Sequence, residues 1–470
     1  MLFNSFEFVL FFPIVTLLFY LFPHKFRWTL LLAASCFFYM YFIPQYILIL
    51  LATIVIDYFA GIWIEKTESQ TKKKRYLVAS IISTCLVLII FKYVNFFQEN
   101  MIWLSEHFHF NYPKRMIEII LPIGLSFHTF QSLSYVIEVY RGNQKAEKHF
   151  GIYSLYVLFY PQLVTGPIER PQNLLVQLRE KKSLKYANVI QGLRLILFGL
   201  FIKMVLADNI AVYVDEIFKN SFSHNSIEII TGLILYSLQI YCDFYGYSLI
   251  AIGSAKSMGY NLMDNFKAPY FSKSINEFWQ RWHISLSTWF RDYVYISLGG
   301  NRVNVKKWVI NILIVFALSG FWHGAKWTFI LWGILHGFTF ILENLISKRI
   351  TLNPSSLLSK VYQPIKIIRT FIIVTLLWVL FRAVDLKQVY AIFWAIKHNW
   401  SVAFSMQLEN WIVILIGFFF AIDFSTRNTR FDLWLQTKKS WFRWFIYFVL
   451  VFAVIGLSSV NNYPFIYFQF

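Results

Sequence analysis

The sequence predicts an all-α polytopic membrane protein, and three observations predict it. Hydrophobic residues make up 58% of the 470 positions and charged residues 14%, against roughly 25% charged in soluble domains. Apolar runs recur along the whole chain at or near the roughly 20 residues that a helix needs to cross a bilayer. Lys and Arg gather in the short segments between those runs, as loops on the cytoplasmic side do. No stretch is polar enough to fold as a soluble domain, so residues 1–470 are expected to form a single membrane domain with about a dozen spans.

The runs set the elements in order. A first span near residues 5–22 leads to Lys25 and Arg27, and two further spans lead to Lys66, Lys72, Lys73, Lys74 and Arg75. Both basic loops are expected in the cytoplasm, with the N-terminus outside. Spans near 76–97 and 117–140 go out and return to Arg141, Lys145 and Lys148. Later spans are expected near 189–216, 228–252, 308–323, 327–346, 366–383, 409–425 and 441–458. Cytoplasmic stretches fall at 169–185, 256–281, Arg302 with Lys306 and Lys307, Lys348 with Arg349, and 427–439, which leaves the C-terminus outside.

Two segments do not read as simple spans. In 150–170, Pro161, Gly166 and Pro167 break any helix before it could cross, which predicts a re-entrant or interfacial hairpin. In 276–300, Trp279, Trp282, Leu286, Trp289 and Tyr293 share one face at helical spacing, with Gln280, Arg281, Ser287 and Arg291 elsewhere around it. One helix lying at the inner interface or lining a polar cavity is expected there.

Composition also excludes functions. The excess of 43 Lys+Arg over 24 Asp+Glu fits basic cytoplasmic loops meeting anionic lipid, not nucleic acid. Cys36, Cys85 and Cys242 each lie in an apolar run without CxxC spacing, so neither a disulfide framework nor a metal site is expected. The start lacks the basic region and cleavage site of a removable signal peptide. No repeat of fixed period appears, which weighs against an inverted-repeat transporter.

Chemistry is expected between residues 276 and 337. Three of the ten histidines, His283, His323 and His336, stand there among Trp279, Trp282, Trp289, Trp322, Trp327 and Trp332. Ionisable groups at membrane depth cost about 2.5–3.5 kcal/mol each on insertion scales, so a chain that gathers several uses them. His323 lies between Gly320 and Gly324, where absent side chains would let a substrate approach the backbone.

Four runs carry a resemblance: residues 121–131 (LPIGLSFHTFQ), 161–168 (PQLVTGPI), 278–293 (FWQRWHISLSTWFRDY) and 320–324 (GFWHG). With them the chain resembles the membrane-bound O-acyltransferases, and within that superfamily it is most similar to the bacterial branch that acetylates alginate and peptidoglycan. The resemblance implies about 10–13 transmembrane helices with re-entrant or interfacial helices around a central tunnel. It implies a histidine inside the tunnel, matched by His323, and a second polar position upstream, matched by His283, where many relatives carry Asn. It further implies acetyl-coenzyme A as donor from the cytoplasm with no bound cofactor, and a polysaccharide acceptor reached from outside. An extracytoplasmic partner of the SGNH-hydrolase type is implied to complete transfer, in a bacterial cytoplasmic membrane.

Acetyl transfer from a thioester to a hydroxyl needs a base, and a neutral imidazole, with an unperturbed pKa of about 6.5, suits it. The oxyanion needs donors, for which His283 and the Trp322 indole are candidates. No GxSxG elbow frames a serine, so direct transfer is expected. Candidates for the tunnel lining are Trp279, Trp282, Ser287, Trp289, Ser319, Trp322 and His336; Arg281, Arg291 and Lys256 are candidates for the coenzyme A phosphates.

Each residue also has a structural reading. Membrane position, flanking glycines and motif favour catalysis for His323 over a histidine that only bonds two helices. For His283 both readings stand. His336 shares a helix face with Glu343 and reads as half of a structural pair; His128 reads as a satisfied intramembrane polar group. The basic residues equally suit lipid headgroups, and the tryptophans an interfacial belt. At the level of function, D-alanyl transfer to teichoic acid, a flippase of a lipid-linked sugar using Asp243 and Glu343, and a noncatalytic scaffold are the alternatives.

Overall fold

A computed structural model describes residues 1–113, 122–164, 166–347, 357–459 and 463–469. Leu121, Thr165, the start of the span expected near 117–140, and the Lys348 and Arg349 pair lie outside the described residues. Among the described residues every regular element is helical. Eight helices are long and apolar enough to cross a membrane: Tyr46–Lys66, Gln70–Phe108, Tyr186–Lys219, Ser226–Ser257, Val305–His323, Trp327–Ile346, Tyr362–Arg382 and Ser440–Leu457. Phe6–Leu21 and Asn410–Ser425 are shorter apolar helices. The chain is a multi-pass membrane protein; ten of the twelve spans expected from the apolar runs fall on these helices, the second falls on the helix His24–Met40, and the described part of the one near 117–140 falls on Leu125–Tyr140.

The chain packs as two compact units. The first comprises Met1–Gly192 with Ala251–Met263, the second Leu193–Ile250 with Asp264–Phe470. Two of the three boundaries fall inside the helices Tyr186–Lys219 and Ser226–Ser257, and the third lies between Met263 and Asp264.

In the first unit the proline-rich segment forms two short helices, Phe150–Leu158 and Tyr160–Leu163, broken at Phe159. Their side chains are buried from Gly151 to Leu163. Broken backbone at membrane depth is tolerable only where protein encloses it, so this segment is shielded as a re-entrant element is. Two buried polar side chains of this unit have partners in neighbouring helices: Asp57 accepts from Ser80 at 2.5 Å and Thr84 at 3.1 Å, and His128 Nε2 lies 3.4 Å from the Thr53 hydroxyl.

In the second unit, glycines let helices touch. A Cβ added to Gly320 would land on the Phe329 carbonyl and within 3.2 Å of Gly333 Cα, so Val305–His323 and Trp327–Ser347 approach backbone to backbone. Gly199 and Gly246 make a second such crossing, each facing the other's carbonyl. Two residues beyond Gly199, the helix widens into a π segment, Phe201–Ala207, which carries Lys203.

Candidate active site

The stretch expected as one helix is two. Ser274 caps Ile275–Arg281, its hydroxyl accepting from the Glu277 N–H at 3.0 Å; after a break at Trp282 and His283 the chain resumes as Ile284–Phe290 and a π segment, Arg291–Tyr295. His283 takes the left-handed conformation at φ 45°, a state that costs a non-glycine residue of order 1–3 kcal/mol unless its surroundings hold it. They do. The Asn265 carbonyl accepts from the Ile284 N–H at 3.0 Å, and the Asn265 side-chain oxygen accepts from the Ser285 N–H at 3.3 Å and the Ser285 hydroxyl at 2.9 Å.

That same oxygen lies 3.1 Å from His283 Nδ1. An amide oxygen only accepts, so the hydrogen-bond network assigns the proton to Nδ1 and leaves Nε2 as an acceptor. His283 is fully buried, and burial lowers its pKa from 6.5 to about 3, so the ring is neutral. In this tautomer Nε2 has no proton to give, so the oxyanion-donor role expected of His283 does not fit. A hydrogen bond from a substrate hydroxyl does.

His323 ends the helix Val305–His323 and is 4% exposed. Its ring is enclosed by Trp322, Trp332, Phe381 and Tyr467, with centroids 4.8, 5.2, 5.2 and 5.5 Å away. Two of these rings also face His283: Trp322 and Tyr467 each stand 6.4 Å from it. The two histidines therefore share one aromatic cluster, with Trp322 and Tyr467 common to both. Gly320 and Gly324 serve packing in this setting. Cβ atoms there would meet the Phe329 backbone and the Phe329 ring, so helix contact, not substrate approach, accounts for them.

His336 is a neighbour one ring further on, 4.9 Å from Trp332 and 5.1 Å from Trp279. It does not pair with Glu343, which instead forms an ion pair with Arg369 and accepts from the Ile275 N–H at 2.7 Å. The wall behind is tryptophan: Trp332 stacks on Trp378 at 5.6 Å, and Trp282 lies 5.0 Å from Trp378. Ser319 is buried in the turn before His323. Ser287 donates to the Trp282 carbonyl at 3.2 Å across the break, and Trp289 packs locally on Phe290 and Tyr293.

The three phosphate candidates are engaged within the protein. Arg281 pairs with Glu277 at 2.9 Å and donates to the Lys267 carbonyl at 3.0 Å; Arg291 pairs with Asp292 at 2.8 Å and is otherwise solvent-facing. Lys256 belongs to the first unit, where it donates to Asn261 at 2.8 Å.

Sequence reasoning missed Asn265, Ser285, Phe381 and Tyr467. Asn265 lies in a stretch that charge alone marks as a cytoplasmic loop, yet it is 1% exposed. Asp243, an acid that a transporter would use, is held in a buried group with Lys203 at 2.5 Å, and Lys203 also pairs with Asp208 at 2.6 Å.

Comparison with known proteins bears on the family of the chain. The sequence model described as MBOAT, membrane-bound O-acyltransferase family, matches residues 148–384. The chain is similar to the probable alginate O-acetylase AlgI of Pseudomonas aeruginosa, 36% identical over 84% of this chain and 74% of that protein. It is 32% identical to the probable alginate O-acetylase AlgI of Pseudomonas putida over the full length of both. It is 35% identical to the peptidoglycan O-acetyltransferase of Helicobacter pylori over 76% of this chain and 71% of that protein. With a helical membrane fold and a matched segment that includes His283, His323 and His336, the chain belongs to the membrane-bound O-acyltransferase family and is an acyltransferase.

Proposed function

We propose that the protein moves acetyl groups from cytoplasmic acetyl-coenzyme A toward hydroxyls of an extracytoplasmic polysaccharide, alginate-like or peptidoglycan, with an SGNH-type partner completing the transfer. The observation that carries this is the shared aromatic cluster: His323 and His283, both inside the segment that matches the family, face the same Trp322 and Tyr467 rings. Relatives named for acetylating alginate and peptidoglycan support the acceptor class.

His323 is the general base. Its imidazole takes the proton from an acceptor hydroxyl as the oxygen attacks the thioester carbonyl; the C–S bond then breaks, and the imidazolium returns the proton to the departing thiolate. His283, neutral and held by Asn265, accepts a hydrogen bond through Nε2 and orients the hydroxyl.

The test is His323→Ala in membranes given labelled acetyl-coenzyme A. Label transfer is expected to vanish while the protein's abundance and insertion stay unchanged. Normal acetylation in that variant would remove the assignment. Label carried only by D-alanine from a carrier protein, and not by acetyl-coenzyme A, would move the protein to teichoic acid chemistry.

A further inference from the structure

In the first unit, a cavity of about 220 Å³ lies where the start of the helix His24–Met40 meets the helix Pro171–Arg179. Its walls are fixed. The Trp28 ring lies against Gly151, where any Cβ would collide with it, and stands edge-on to His149 at 4.7 Å. Tyr260, which also lines the space, packs on Phe19 at 5.8 Å and Phe159 at 5.3 Å, and the Tyr20 hydroxyl donates to the Ser257 carbonyl at 2.8 Å. These contacts hold the space open without an occupant, as most ligand sites are largely formed in advance.

Charge is not balanced around it. Arg179 pairs with Glu147 at 2.9 Å and Glu180 with Lys182 at 2.6 Å, so those charges are met. Arg27 and Lys25 have no carboxylate partner among the described residues. Arg27 gives N–H groups to the carbonyls of Phe22 at 3.0 Å, Tyr20 at 3.3 Å and Lys182, with its guanidinium 4.8 Å from the Phe19 ring centre. A guanidinium carries five N–H donors, so two remain. Lys25 is exposed, its ammonium 4.9 Å from the Phe26 ring. Both residues stand at the start of a helix that has no acidic residue in its first turn and only Pro23, with no side-chain bond, at its N-cap. The helix dipole there favours a negative group, and a phosphate is what a guanidinium, an ammonium and a helix N-terminus bind together.

Apolar surface decides which phosphate. Leu10, Ile14, Leu17 and Leu21 are each more than half exposed and recur at helical spacing, so they form one stripe along Phe6–Leu21 that ends beside Lys25 and Arg27. Phe22 and Phe26 continue it, and Leu184 stands exposed on the segment past Arg179. An acyl chain can lie on such a stripe, whereas a soluble nucleotide has no use for it. We propose that this cavity binds the headgroup of an anionic phospholipid, its phosphate held by Arg27 and Lys25 and its acyl chains lying along the exposed stripe of Phe6–Leu21. These residues are expected on the cytoplasmic side, where anionic lipid is found and basic pockets between membrane helices take its headgroups. Because Arg27 already reaches the Lys182 carbonyl, a phosphate on Arg27 ties the turn before His24–Met40 to the segment after Pro171–Arg179. A ligand that binds only the folded chain stabilises it. The site stands whether or not His323 is the base.

The experiment takes the full-length protein, delipidated in a neutral detergent, and titrates it with phosphatidylglycerol, phosphatidylcholine or coenzyme A, reading bound ligand by native mass spectrometry and the melting temperature of the same samples. Phosphatidylglycerol is expected to bind and raise the melting temperature, phosphatidylcholine to do neither, and added salt to weaken the binding. Lys25→Gln, at an exposed side chain, is expected to weaken phosphatidylglycerol binding about fivefold, the equivalent of ~1 kcal/mol for one basic residue near anionic lipid. Arg27→Gln is expected to weaken it further, and Arg27→Lys, which keeps the charge without the fork, to fall between Arg27→Gln and the parent chain. Lys74→Gln, an exposed lysine of another basic stretch, is expected to leave binding unchanged. Equal weakening by Lys74→Gln and Lys25→Gln, or equal binding of the two lipids, overturns the site. Coenzyme A bound in place of phosphatidylglycerol, and lost in Lys25→Gln, gives the cavity to a soluble phosphate and overturns the lipid reading. Should Arg27→Gln fail to fold, since Arg27 also meets the carbonyls at the end of Phe6–Leu21, the comparison of Lys25→Gln with Lys74→Gln decides by itself.

Discussion

Asn265 carries more of the site than any residue the motifs point to. One amide oxygen meets His283 Nδ1, the Ser285 N–H and the Ser285 hydroxyl, so it fixes the ring, its tautomer and the left-handed turn together. Asn265→Ala leaves those groups without their acceptor, and a loss of about 2–4 kcal/mol is expected from the unmet donors and the released strain. Activity should fall with it, whereas Asn265→Asp, which keeps an acceptor, should retain more; equal thermal stability of Asn265→Ala and the parent chain would contradict this account. The buried imidazole also sets a pH dependence. Folding depresses the His283 pKa from 6.5 to about 3, so between those values the unfolded chain binds a proton that the folded one does not. Stability from this group is full above pH 6.5 and declines as pH falls toward 3, by about 1.4 kcal/mol per pH unit. His283→Asn should flatten that slope in detergent melts taken from pH 7 to pH 5. The histidines were legible in sequence because charge-capable groups are rare in apolar runs. Asn265 was not, because a polar residue in a polar loop looks the same whether the loop is solvated or folded inward.

At the scale of elements, hydrophobic run length located the spans, since a helix buried in lipid must be apolar all round and its length is fixed by the bilayer. Periodicity failed where two helices meet. Trp279, Leu286 and Tyr293 keep helical spacing across 282–283, and spacing cannot report that one residue between them has turned left-handed. Glycines show the opposite limit. Their positions in sequence suggested openness beside His323, but only the neighbouring helix reveals that the space is already filled. Gly333→Ala would press a methyl onto the Phe316 carbonyl and against Gly320. Overpacking of this kind costs about 1–3 kcal/mol, and because the same contact seats the helix ending at His323, activity should fall too. Gly417→Ala meets nothing within 4 Å in its helix and is expected to be neutral or stabilising by up to about 1 kcal/mol. Melting temperatures of the two variants in one detergent check the contrast; equal shifts would mean that the close helix contact is not what Gly333 provides.

For the whole molecule, the arrangement of basic loops bears on how two substrates from opposite compartments could reach one base. Arg302, Lys306 and Lys307 precede the helix Val305–His323 or occupy its first turn, and by the positive-inside tendency that end is expected in the cytoplasm. His323, at the other end of a 19-residue helix, is then expected toward the outer side. The acceptor hydroxyl would have the shorter path and the thioester the longer one, which suits a donor whose acyl group rides on an extended arm. Orientation is therefore the quantity on which the division between donor side and acceptor side depends. It can be measured with single cysteines at exposed positions, in a background where Cys36 and Cys85, both partly accessible, are replaced by serine. In intact cells a membrane-impermeant maleimide is expected to spare Lys72→Cys and Lys439→Cys and to label His109→Cys and His398→Cys, all four being exposed in the fold. Permeabilised cells should label all four. The reverse pattern would put His323 toward the cytoplasm, and the acceptor, not the donor, would then need the long approach.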